Sequence, residues 1–98
     1  MIINIIKSRG WMLVAVCDDA ILGKIFEEKG AILDLSVGFY QGKKVSDDHV
    51  KEIMASSDNL NIVGEKSIAL AIELGLIDKD HVRRIAKIPY AQVAINRE

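Results

Sequence analysis

Apolar residues along the chain change their spacing several times, and each change marks an element. The opening IINIIK (2–7) and the run WMLVAVC (11–17) are dense in β-branched and bulky apolar side chains. Ser8-Arg9-Gly10 separates them, which predicts a β-hairpin. Met12 to Val16 is apolar without a break, the pattern of a strand covered on both faces. The period then lengthens. Ile21, Leu22, Ile25 and Phe26 fit one helical stripe, with Asp18 or Asp19 as cap and Gly30 as a left-handed stop.

AILDLS (31–36) predicts a third strand, with Ile32 on one face and Leu33 and Leu35 on the other. A second helix starts at Ser46 or Asp47 and turns Val50, Ile53 and Met54 inward. NLNIVG (59–64) is a short strand. EKSIALAIELG (65–75) is the strongest helix, with Ile68, Ala71 and Ile72 on one face and Gly75 at its end. Asp78 or Asp80 caps a short helix through Val82 and Ile85, which Pro89 stops. AQVAIN (91–96) closes as a strand in which Ala91, Val93 and Ile95 alternate. The order β-β-α-β-α-β-α-α-β predicts an α/β (α+β) fold in a single domain, residues 1–98. Its mixed sheet has four to five strands beginning with a hairpin, and three to four helices pack on it.

Composition narrows the classes. Half of the 98 residues are apolar but only five are aromatic, so the core is aliphatic. Thirteen basic residues against fourteen acidic give a net charge of −1, which argues against a general nucleic-acid coat and leaves room for a local basic patch. One cysteine, Cys17, makes no internal disulfide. The apolar N-terminus is far shorter than a bilayer span, no signal peptide is read, and a cytoplasmic address without membrane contact is expected.

Candidate chemistry begins at VGFYQGKKVSDD (37–48). A Walker-type loop needs four residues between its glycines and a hydroxyl after its lysine. Here three residues separate Gly38 from Gly42, and Lys44 stands where the hydroxyl belongs. The segment reads instead as a contact loop: Phe39 and Tyr40 offer planar faces beside Lys43 and Lys44, the pairing that single-stranded nucleic acid uses, unless Phe39 plugs the rim of the core. At VGEKS (63–67), Gly64, Lys66 and Ser67 form a second candidate, an anion-accepting helix start that Glu65 opposes. Cys17 precedes Asp18 and Asp19, whose charge disfavours a thiolate. His49 and His81 lie far apart, and with one cysteine they give neither a zinc site nor a Cys-His dyad. The remaining cations, Arg9 beside Trp11 and Arg83, Arg84 and Lys87 on the last short helix, form a patch with Lys43 and Lys44 only if turn, loop and helix gather at one end of the sheet.

GWMLVAVCDDAILGKIFEEKGAILDLSVGFYQGK, NIVGEKSIALAIELGLID and IPYAQV together resemble the archaeal family of small proteins catalogued as domain of unknown function 424. The resemblance spans nearly the whole chain. Its most specific parts are Gly64-Glu65, the ELGL ending (73–76), and Pro89, Ala91 and Gln92. It implies a cytoplasmic protein without an assigned reaction and with a suspected link to RNA or translation. Where the family pattern has His after the proline this chain has Tyr90, so a proton-transfer role is not carried over, while stacking or hydrogen bonding is.

The expected function is a non-catalytic module that binds RNA or a ribonucleoprotein. Its phosphate and stacking residues are Arg9, Trp11, Phe39, Tyr40, Lys43, Lys44, Arg83 and Arg84, with Gly64, Lys66 and Ser67 as an anion site. No catalytic residue, metal or cofactor is assigned. The alternative is a protein-interaction or homo-oligomeric subunit, and the third reading is an enzyme acting on a small phosphorylated ligand.

Overall fold

The computed structural model describes residues 1–95. Its strands are β1 (Ile2–Ser8), β2 (Trp11–Cys17), β3 (Ile25–Glu28), β4 (Ala31–Asp34), β5 (Lys43–Lys44), β6 (Asn59–Val63), β7 (Arg83–Ile85) and β8 (Ile88–Ala94). Two α-helices, α1 (Asp47–Ser56) and α2 (Glu65–Glu73), complete the regular structure with three short 3-10 turns. Six strands form one mixed sheet in the order β5-β1-β2-β6-β8-β7, and β3 and β4 form a separate hairpin. Only β2 and β6 run parallel, with Cys17 opposite Val63.

Alternation along the strands divides the large sheet into two faces. Val14, Val16, Leu60, Ile62 and Ala91 point to the side covered by α1 and α2, where they meet Val50, Met54, Ile68 and Ala71. Each fully buried Val, Leu, Ile or Met side chain of this set contributes about 1.5–3 kcal/mol. Ser46 starts α1 by accepting from the His49 N–H, and α2 ends before Gly75. On the opposite face, Cys17 and Val63 pack beneath Phe26 and Leu33 of the separate hairpin, beneath Leu35 just after it, and beneath Tyr40.

Two predicted helices are absent. Residues 18–30 form a 3-10 turn at Asp19–Ile21 and then β3, while Lys29 and Gly30, at φ 49° and 85°, make the two-residue turn into β4. The apolar stripe fits either period. The paired positive φ values that right-twisted strands demand of such a turn decide for the hairpin, so Gly30 is a turn residue and not a helix stop. Likewise, Lys79–His81 is a 3-10 turn leading into β7, and Ala86 and Lys87, at φ 49° and 68°, connect it to β8. Pro89 therefore lies inside β8 and stops no helix. The sheet accordingly has six strands where four to five were predicted, and the described residues hold two α-helices where three to four were predicted. The closing strand ends at Ala94, and Asn96 of its predicted span lies outside the described residues.

Candidate nucleic-acid interface

The separate hairpin is too short to cover a six-stranded sheet. It packs against β7, and the 3-10 turn Gly38–Tyr40 packs against β1 and β2, where the Phe39 carbonyl accepts from Asn4 Nδ2 at 3.0 Å. Together they cover the end of this face that holds Cys17 and Val63. Toward the other end, nothing among the described residues seals Ile6, Trp11, Leu13, Asn59, Asn61, Gln92 and Ala94. Ile6 is 39% exposed and Trp11 44%, Gln92 and Ala94 are exposed, and Leu13, Asn59 and Asn61 are half-buried. The pairing register sets Leu13 beside Asn59 and Ala94, and Ala15 beside Asn61 and Gln92, so these side chains lie in rows on one surface. The surface is partly apolar and lined with amides. Asn59 Oδ1 at its base has no hydrogen-bond partner among the described residues.

The predicted site residues fall into three places. Trp11 stands on the open face, and beside it Arg9 shares an end recess of about 430 Å³ with Lys7 and Trp11. Phe39 is half-buried where the turn lies on β1 and β2, its ring edge-on to Tyr40 at 5.1 Å. Tyr40 packs inward, and burial, then the nearby Cys17, pushes its phenol pKa up. Arg83 continues the same face, because Cys17, Val63, Tyr90 and Arg83 are successive cross-strand neighbours.

Lys43 and Lys44 are on β5, not on a loop, and Arg83 and Arg84 are on β7, not on a helix. These are the two outer strands of the sheet, about 24 Å apart at five strand spacings. Arg9 lies at the far end of β1 from the lysines, about 20 Å along the strand. The cations thus do not gather at one end. Lys43 lies opposite Ile3, on the helical side, and lines a groove there with His49 and Ile53. Lys44 is bound to Asp19 at 3.0 Å, and the N-terminal ammonium holds the same carboxylate at 2.9 Å. The terminal ammonium first, and Lys44 second, pull the Asp19 pKa down to about 2. Arg84 is engaged by Glu65 at 2.8 Å and by the Lys87 carbonyl at 3.0 Å.

Gly64, Lys66 and Ser67 do form the helix start predicted, and a carboxylate of the chain already occupies it. Asp18 Oδ2 accepts from the Lys66 N–H at 3.0 Å, and Asp18 Oδ1 accepts from the Ser67 N–H at 2.8 Å and from its hydroxyl at 2.6 Å. The parallel register explains the meeting. Cys17 is opposite Val63, so the next residues, Asp18 and Gly64, emerge side by side. An outside anion would have to displace Asp18 from these donors. Cys17 itself is fully buried, and desolvation, then Asp18 and Asp19, push its thiol pKa up to about 12, which disfavours the thiolate. No group of three or more His, Cys, Asp or Glu among the described residues could hold a metal ion. No helix there is long and apolar enough to cross a membrane.

Asn59, Asn61 and Gln92 were not among the residues predicted from sequence. Their signal is present in it: Asn59 and Asn61 alternate with Leu60 and Ile62, and Gln92 lies between Ala91 and Val93. A central strand polar on one face and aliphatic on the other announces a face left open.

A family model described as "Protein of unknown function (DUF424)" matches residues 6–95. Among solved structures, the crystal structure of an uncharacterized conserved protein from Methanopyrus kandleri is similar to this chain. It has 25% identity and a TM-score of 0.79, over 99% of this chain and 93% of that one. No curated protein matches.

Proposed function

The chain belongs to the family described as protein of unknown function (DUF424), and from that premise we propose that it is a non-catalytic module binding single-stranded RNA, free or within a ribonucleoprotein. The contact surface is the open half of the sheet. The observation that carries this reading is the set of Trp11, Leu13, Asn59, Asn61 and Gln92 on one face of the sheet, Trp11 and Gln92 exposed and the other three half-buried. Exposed rings on a sheet stack bases, and amides offer both a donor and an acceptor to base edges. Arg9 and Arg83 flank this surface at opposite corners and offer cationic contacts to the strand, with Lys7 beside Arg9 for its phosphates. The lysines of β5 and the start of α2 have no part in it. A cytoplasmic address and a place beside the translation machinery belong to the same proposal and rest on the family resemblance.

Fluorescence anisotropy with a labelled eight-nucleotide RNA tests the reading. Two or three phosphate contacts give a slope of about −2 in log affinity against log salt, since each single-strand phosphate contributes about −0.7. Binding that is absent, or independent of salt, overturns it.

A second reading has its own observation. Ile25 and Ile32, 60% and 62% exposed, are diagonal neighbours on the outer face of the β3–β4 hairpin. A protein partner or a second copy would cover them, and sedimentation equilibrium showing a dimer without RNA affinity would favour that reading.

A further inference from the structure

We propose that the recess at the β7–β8 edge of the sheet, where the open half of the face meets its covered end, reads a guanine base, an assignment that rests on the single-stranded RNA reading above. The recess measures about 340 Å³ and is lined by Asp80, His81, Arg83, Tyr90, Ala91 and Gln92. Its volume lies within the range of sites that enclose a small ligand. The two consecutive arginines of β7 differ in their engagement. Arg84 points to the helical side and is spent on Glu65 and the Lys87 carbonyl. Arg83 and Asp80 border the recess, yet among the described residues they form no ion pair with each other or with any other group. The recess is therefore bordered by a guanidinium donor and a carboxylate acceptor, neither engaged in an ion pair among the described residues.

Guanine matches that arrangement. Its N7 and O6 accept from an arginine fork, and its N2 amino group with the adjoining N1–H donates to a carboxylate, which can only accept. Adenine sets an amino group where Arg83 needs an oxygen. Cytosine gives the carboxylate one amino group where guanine gives two adjoining donors, and its acceptor pair, N3 and O2, shares the edge of that amino group, so it cannot face Arg83 and Asp80 from two edges as guanine does. Uracil has no exocyclic amine for Asp80. Tyr90, half-buried where it packs on the covered end of the face, bounds the recess with the part of its side chain that stays exposed, and the Gln92 amide links the recess to the row of Asn59 and Asn61 on the same face.

The experiment compares four labelled octanucleotides of uridine that carry G, A, C or U at one central position, titrated with the full chain at fixed salt. The G-containing strand is expected to bind about tenfold more tightly than the others. Asp80→Asn should remove that preference while changing affinity for the all-uridine strand by less than about twofold. Arg83→Gln should weaken the G strand and remove most of its advantage over the all-uridine strand. Both side chains are exposed, so thermal melts should show both variants folded. As an independent readout, the backbone amide resonances of Tyr90 and Gln92 should shift with guanosine monophosphate and not with uridine monophosphate. Equal affinity for all four strands overturns the guanine assignment and leaves the platform standing. Failure of all four to bind overturns both.

Discussion

The Asp18 carboxylate lies directly against the backbone of Gly64: a Cβ built on Gly64 would sit 2.2 Å from Asp18 Cγ. Gly64 also holds φ 112° and ψ 155°, a region open in practice to glycine alone. Position 64 is therefore glycine for two independent reasons, and Asp18 bridges the ends of the two parallel strands by capping the helix that follows the second.

The two reasons separate in a double-mutant cycle. Asp18→Ala leaves two N–H groups and a hydroxyl without their charged acceptor and should cost about 2–3 kcal/mol in urea unfolding. Gly64→Ala should cost about 3 kcal/mol or more, since backbone strain of about 1–3 kcal/mol adds to the collision. In the Asp18→Ala background the collision is gone, so Gly64→Ala should cost about 1 kcal/mol less than it does alone. Strict additivity would show that the carboxylate is not the group that Gly64 accommodates.

The buried thiol makes a statement about pH. Below about pH 9 Cys17 keeps its proton both folded and unfolded, and its contribution does not change. Between about 9 and 12 the unfolded thiol ionises while the folded one does not, so stability falls as pH rises. Relative to Cys17→Ser, wild type should lose about 1 kcal/mol per pH unit over that window. At pH 8 the native protein should leave a disulfide-exchange reagent untouched until it unfolds. Parallel curves for the two proteins through pH 11 would contradict the burial argument.

The β7–β8 turn carries Ala86 and Lys87 in left-handed conformations that neither side chain favours. It is held from outside by Glu28 Oε1 accepting from the Ala86 N–H at 2.9 Å, and from within the hairpin by Arg84 donating to the Lys87 carbonyl. Lys87→Gly relieves the backbone and keeps both contacts, so it should raise stability by about 0.5–1 kcal/mol in thermal or urea melts. A loss of stability would mean that the turn is not of this type.

That turn shows why part of the fold was hidden in the sequence. Ser8-Arg9-Gly10 announced the first hairpin because its glycine sits where positive φ is needed, and Val50 and Met54 gave away α1 through their spacing. Ala86-Lys87 carries no glycine or asparagine, and a contact from Glu28, distant in the chain, decides its conformation. Ile21, Leu22, Ile25 and Phe26 satisfy helical and strand spacing alike, so the choice fell to tertiary packing. The site was legible in the same uneven way. Trp11, Phe39 and Arg83 could be named as ring and charge, but their grouping depends on strand order, which places Lys43 and Arg84 on the helical side. Asp18 looked like the cap of the segment after it. Only the parallel pairing of β2 with β6 reveals that it caps α2.

The open face and the lysine-bearing edge make opposite demands of mutants. Trp11→Ala removes a stacking surface and should weaken RNA binding by about five- to a hundredfold, the range for one base–aromatic contact. Its thermal stability should change little, because the ring is 44% exposed. Lys43→Ala, on the helical side, should change affinity by less than about twofold. The reverse ranking would move the contact surface to the β5 edge.

The most direct test is a backbone amide shift map of the labelled protein titrated with a guanine-containing RNA octanucleotide. Shifts concentrated on Trp11, Leu13, Asn59, Asn61, Tyr90 and Gln92, with the exposed faces of α1 and α2 silent, are the predicted result. Shifts centred on α1, α2 or Lys43, or no shifts at saturating RNA, would contradict the account.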